Sequence, residues 1–191
     1  MTSRLPWLSV RAQIGSSAER RKSCDLLLRT EELPEAGWGF RLERSWRVGT
    51  PGPSRKYEEP KRAFKAGLFA AVRSFQKDQV RDLGLMVVPF VSAEDAHMYI
   101  PKWYHRDRLT TPVEGERVIP DPQVTDLSDV LMLELHTGVA RTNAMIVFGR
   151  VAHVGMSASL GTRDGDVSCD DVAMFASSQA RKIRQQLEIG G

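Results

Sequence analysis

The sequence has no apolar run approaching the ~20 residues that a membrane-spanning helix needs. Its longest, Leu83-Gly84-Leu85-Met86-Val87-Val88-Pro89-Phe90-Val91, is interrupted by a proline. Cysteine is scarce: Cys24 and Cys169 are the only two. Neither has a second ligand at finger-like spacing, which excludes a zinc-finger site. A reducing compartment keeps them as thiols; in an oxidising one they pair if the first strand and last helix meet. Catalytic signatures are missing as well. There is no Gly-x-Ser-x-Gly elbow, no P-loop and no dinucleotide fingerprint, so no catalytic residue and no cofactor is expected. No internal repeat is visible. The apolar stretch Leu5-Pro6-Trp7-Leu8-Ser9-Val10 is shorter than a secretory core of roughly 7–15 residues and ends at Arg11, so a cytoplasmic product is the expectation.

What is present suits one ordinary domain. The chain has 191 residues, 41% hydrophobic and 27% charged, enough for a real core. The net charge of +3 is unevenly spread. Arg4, Arg11, Arg20, Arg21 and Lys22 against Glu19 give residues 1–22 a net of +4, leaving −1 for the rest. A nucleic-acid-binding body shows a basic face. A near-neutral body points away from nucleic acid, leaving only leader contact as the weaker alternative. The expected organisation is a flexible basic leader over 1–23 and a single α+β domain over 24–191.

Hydrophobic periodicity places the elements. Trp38, Phe40, Leu42, Trp46 and Val48 alternate with polar residues, the pattern of a half-buried strand; Arg44 falls on its apolar side. Phe64, Leu68, Val72, Phe75 and Leu83, widened by Phe69 and Ala71, suggest a helix over 61–83 stopped by Gly84. Leu85–Val91 reads as a buried strand, and Ser92-Ala93-Glu94-Asp95 as a capped helix start. The prolines of 110–129 suggest a long loop. Residues 130–137, 142–148 and 151–160 read as consecutive antiparallel strands. Gly149-Arg150 would be the turn pairing Val147 with Ala152 and Met145 with Val154. Asp170 and Asp171 suit the positive end of a last helix, capped near Ser168. Its buried stripe is Val172, Phe175, Ala176, Gln179, Ala180, Ile183 and Leu187. The fold class is α+β: an antiparallel sheet with helices packed on it.

The order of these features carries a resemblance. Leu26-Leu27-Leu28, Glu31-Glu32-Leu33-Pro34 and Gly37-Trp38 come first, then a central segment with Ala70-Ala71-Val72 and Phe75. The hairpin of residues 144–151, a strand ending Ser157-Ala158-Ser159 and a helix with Gln179-Ala180 follow. Over residues 24–188 the pattern resembles the extracellular sensor-like domains of actinobacterial Ser/Thr kinases and related lipoproteins, which are PsbP-like. The resemblance implies a PsbP-like sandwich and a non-enzymatic ligand- or partner-binding module with a cleft between sheet and helix. The chain departs from that family in showing no signal peptide, lipobox or anchor, and in lacking its four-cysteine pattern.

One constellation is a candidate site. Glu134 and His136 share a strand face, His153 lies on a nearby strand, and Arg44 and Trp46 share the apolar side of another. If those faces coincide, Arg44, Trp46, Glu134, His136 and His153 line one polar pocket, where an arginine fork suits a carboxylate or phosphate. The plainer reading is an Arg44–Glu134 ion pair beside ordinary histidines. Glu134, His136 and His153 are ligand types for a metal, but no neighbouring ligand strengthens them and no metal is expected. The functional expectation is a binding module with an unidentified small ligand or protein partner. It is able to form a homo-oligomer through sheet edges, and it has no membrane span. A small enzyme using Glu134 with His136 or His153 as an acid–base pair is the alternative.

Overall fold

The computed structural model describes residues 17–47, 69–98, 115–137, 142–163 and 165–189. Helix α1 (Ser17–Asp25) and a 3-10 turn (Thr30–Glu32) precede strands β1 (Gly39–Arg47), β2 (Phe69–Lys77) and β3 (Arg81–Pro89). Residues 93–98 form α2. Strands β4 (Gly115–Ile119), β5 (Ser128–Thr137), β6 (Thr142–Val151) and β7 (Val154–Thr162) lead to α3 (Cys169–Ile189). All seven strands form one antiparallel sheet in the order β1-β2-β3-β7-β6-β5-β4. Two meanders therefore meet at the central β3–β7 pair. The chain is an α+β protein, as the patterning implied.

Both sheet faces are covered. On the front, α3 lies against β6 and β7 and α1 against β2. The main core is there: Ala71, Phe75, Leu83, Leu85 and Val87 meet Met145, Val147, Met156, Ala158 and the buried stripe of α3. Behind, Ala70, Val88, Leu133 and Phe148 pack with Phe90 and with Ala96 of α2. Ser92 caps α2 by accepting the Asp95 amide at 3.1 Å and donating to the Asp95 carboxylate at 2.9 Å.

Several expectations require correction. The helix over 61–83 does not form across its described part: residues 69–77 and 81–89 are paired strands. Phe64 and Leu68 lie outside the described residues. Phe69, Ala71 and Phe75 alternate inward with Arg73, a charged residue at a core position that hides the period of two. The connecting turn, which falls inside the expected helix, uses Asp78 and Gln79, both at positive φ. The expected loop over 110–129 contains edge strand β4. The boundary between residues 23 and 24 falls inside α1, whose Ser23 is buried and donates to the Phe69 carbonyl.

The β6–β7 turn is at Ala152-His153, not Gly149-Arg150, so Val147 pairs with Ala158 and Met145 with Leu160. The register moves by six residues, an even number, so the paired positions keep their faces; Val151, expected beside Phe148 and Ile146, instead ends β6 on the front with Val147 and Val154. Gly149 serves another purpose. A Cβ there would lie 3.2 Å from the Ser128 carbonyl oxygen and 3.2 Å from Leu127 Cδ1, so glycine allows the 127–128 loop to approach β6.

Strand β1 also departs from simple alternation. A bulge between Phe40 and Leu42 switches the faces. Phe40 pairs with Phe75 on the front, whereas Leu42, Arg44 and Trp46 pair with Ser74, Val72 and Ala70 and share the rear side.

Candidate functional site

The five expected site residues do not converge. Arg44 is exposed on the rear of β1. Trp46 shares its register side, opposite Ala70. Glu134 and His136 lie on the front of β5, in register with Met145 and Asn143. Strands β1 and β5 are separated by five interstrand spacings, about 24 Å. An Arg44–Glu134 pair is therefore excluded, and so is a pocket shared by both. His153 sits in the β6–β7 turn, where its carbonyl accepts the Phe90 amide at 2.9 Å. That is the far end of β6 from Asn143, the register partner of His136.

Glu134 and His136 do meet. His136 Nε2 lies 3.7 Å from Glu134 Oε1, and His136 Nδ1 is 2.9 Å from Asn143 Oδ1. The Arg117 guanidinium grips the other carboxylate oxygen, at 2.7 Å from Nε and 2.6 Å from Nη2. Asn143 in turn donates to the Gly165 carbonyl and the Asp166 carboxylate. This arrangement is a surface polar chain with its carboxylate already neutralised. Among the described residues, no group of three or more His, Cys, Asp or Glu side chains is arranged to hold a metal ion.

A more concave arrangement lies at the C-terminal turns of α3. A cleft of about 310 Å³ is lined by Asp126, Ser128, Arg150, Val151, Ala152, Arg184, Leu187 and Glu188, so two arginines face two carboxylates. It forms because three chain segments arrive together: the β4–β5 connection, the end of β6 and the last turns of α3. Three lining or adjoining residues carry left-handed backbone: Asp126 at φ 66°, Asp129 at 56° and Ala152 at 52°. Aspartate tolerates that region through local hydrogen bonding; alanine has no such compensation. Ala152 opens the two-residue β6–β7 turn and Asp129 sits at the bulge between Ser128 and Leu131, so turn and bulge geometry bring these segments round the cleft.

The cleft's charges are paired but not exhausted. Arg184 donates from Nη1 to Asp126 Oδ1 at 2.7 Å and from Nη2 to the Asp126 carbonyl at 3.3 Å. Arg150 binds the Asp129 carboxylate through Nε and the Ala152 carbonyl through Nη1 at 3.1 Å. His97 Nδ1, from α2, reaches the same Asp129 carboxylate at 2.9 Å. Burial alone would push the Asp129 carboxyl up, but Arg150 and His97 together hold it below its usual range. A guanidinium has five N–H donors, so both arginines keep donors for a further acceptor. Leu187 and Val151 add apolar wall. Sequence reasoning passed over this cleft. Its signals were the paired aspartates of Asp126-Leu127-Ser128-Asp129, able to take left-handed backbone, and an arginine on the last turns of α3.

The cleft between sheet and helix that the family resemblance implied is filled by the chain itself. Leu27, Leu28, Leu33 and Trp38 occupy it, with the Trp38 ring edge-on to Phe175 at 5.6 Å. Cys24 and Cys169 are both free thiols. Burial, followed by the nearby Glu43 carboxylate, pushes the Cys24 thiol up, away from reactive thiolate character. No described helix is long and apolar enough to cross a membrane.

Comparison with known proteins bears on the fold. No family model matches the chain, and no curated protein matches its sequence. Among solved structures it is similar to the extracellular domain of PknH from Mycobacterium tuberculosis, with a TM-score of 0.56 at 9% identity. That match covers 87% of this chain and 96% of the other. The fold thus resembles that of this extracellular domain, in line with the family resemblance that the order of sequence features suggested.

Proposed function

We propose that this chain is a non-enzymatic binding module whose ligand contact is the Arg150–Arg184 cleft. The observation that carries the reading is the convergence of two incompletely used guanidiniums on one concavity, with Asp126 and Ala152 at positive φ in its wall. The ligand class follows from the wall. Spare N–H donors suit a carboxylate or phosphate, and Leu187 with Val151 suits an adjoining apolar group. The likeness to a sensor domain supports a binding role and says nothing of the ligand. The test is a thermal-shift panel of short-chain and aromatic carboxylates with inorganic phosphate. At least one should raise the melting temperature of the unaltered chain and leave Arg184→Ala unmoved. Equal shifts in both proteins, or none in either, would reject the cleft as the site.

A second reading keeps one observation in its favour. Glu134 and His136 share a face with His136 Nε2 3.7 Å from Glu134 Oε1, close enough for both to approach one substrate. Arg117 already engages the same carboxylate. Turnover of activated esters or phosphate monoesters that disappears in His136→Gln would establish this reading; absence of turnover rejects it.

A further inference from the structure

The segment from Ser23 to Leu33 is held in an unusual way. Gln179 is completely buried within the otherwise apolar stripe of α3. Its Oε1 accepts the Leu28 amide at 3.0 Å and its Nε2 donates to the Leu26 carbonyl at 2.6 Å. Donor and acceptor engage one short stretch of main chain, as a neighbouring strand would. Across the groove, Arg73 of β2 is buried. It donates to the carbonyls of Leu27 at 3.0 Å, Leu28 at 2.8 Å and Cys24 at 3.4 Å. Leu27, Leu28 and Leu33 fill apolar pockets. At the rim, Lys182 pairs with Glu32.

Two buried polar side chains therefore read the backbone of a leucine-rich segment, while a largely covered lysine reads its more exposed acidic flank. None of these contacts depends on the segment belonging to the same chain. The segment joins β1 through residues 34–38, where Gly37 at φ 88° supplies a conformation that other residues rarely adopt.

We propose that the groove between α3 and β2 is a peptide-binding site for this Leu-Leu segment and its acidic flank, filled in cis here and filled in trans by the same segment of a second copy. Chains would associate by exchanging the segment, a route to dimers that needs no new interface chemistry. The proposal is independent of the Arg150–Arg184 cleft and uses different residues. Its charge pairing, Glu32 on Lys182, and its main-chain contacts are reproduced identically by a second copy.

The probe is a labelled synthetic peptide of residues 22–33. In cis occupancy reduces apparent affinity in the unaltered chain. Loosening the resident segment by Leu27→Ala with Leu28→Ala should therefore strengthen peptide binding, about tenfold or more. Adding Gln179→Ala should reverse the gain, because a lost buried hydrogen-bonding side chain costs about tenfold in affinity. The unaltered chain should show a concentration-dependent dimer by light scattering, reduced by excess peptide. In its hydrogen exchange, the Leu28 amide should open well before the amides of β3 and β7. Peptide binding unaffected by Gln179→Ala, a monomer at every attainable concentration, or Leu28 exchange only through global unfolding would each overturn the proposal. So would complete unfolding of the leucine variant, since the groove would then not exist apart from its occupant.

Discussion

Arg73 and Glu43 face each other directly across the β1–β2 pair, and the arginine that binds this carboxylate also binds three carbonyls of the segment that closes the core. The ion pair thereby joins the sheet edge to the groove. The two ends of the interaction are unequal in burial, with side-chain exposures of 11% for Arg73 and 35% for Glu43.

That asymmetry gives the first prediction. Arg73→Met leaves buried carbonyls without donors and should cost about 3–5 kcal/mol. Glu43→Gln keeps an acceptor beside the guanidinium and should cost about 1 kcal/mol. Urea unfolding followed by tryptophan fluorescence separates them, and equal losses would contradict the account.

Ala152 gives the second. Left-handed backbone costs a non-glycine residue about 1–2 kcal/mol, against about 0.5–1 kcal/mol for the added freedom of an unfolded glycine. Ala152→Gly should leave stability unchanged or raise it by up to about 1 kcal/mol. It should also weaken any ligand held in the Arg150–Arg184 cleft, because the relaxed turn moves the carbonyl that orients Arg150. Calorimetric melting with and without the ligand found by the panel measures both effects.

Gly149→Ala should act in the opposite direction. The new methyl meets a main-chain oxygen and Leu127 at 3.2 Å each, and the 127–128 loop must yield by a few tenths of an ångström. A loss of about 1–2 kcal/mol is expected, of the size seen for overpacking. Thermal unfolding tests it, and an unchanged midpoint would show that the loop is not pinned there.

Acid should loosen the Glu35 corner. The Lys77 ammonium, followed by the Trp38 indole N–H, holds the Glu35 carboxyl below its ordinary 4.5, although partial burial opposes them. A depressed folded value means that the unfolded chain binds the proton more readily. The resulting stability is present in full above about pH 4.5 and is lost as pH falls through the lower folded value. Glu35→Gln should therefore be less stable than the unaltered chain at pH 7 and flatten the pH dependence below 4.5. Trp38 fluorescence reports on the same corner.

Much of the architecture was legible because burial follows a period. The stripe on α3 and the faces of β5, β6 and β7, apart from Val151 at the misplaced turn, were correct from the sequence, and Ser92 caps a helix as its pattern suggested. Strand β2 was misread for a specific reason: Arg73, a charge at an inward position, broke an otherwise clear alternation. On β1, a single bulged residue reversed the faces. The candidate site failed for a different reason: Arg44 on β1 and Glu134 on β5 are held apart by the four strands between them in the sheet order, whichever side Arg44 takes.

The sequence by itself determined the elements whose apolar residues repeat locally: an antiparallel α+β domain closed by an amphipathic helix. Tertiary structure alone decided which strand neighbours which, and therefore which charges meet. It paired Glu134 with Arg117 rather than Arg44, set Arg150 beside Arg184, and turned Gln179 from one residue in a stripe into a reader of the Leu26–Leu28 backbone. Periodicity reports which way a side chain points relative to its own element. Partners distant along the chain are selected by sheet order and register, which no local pattern contains.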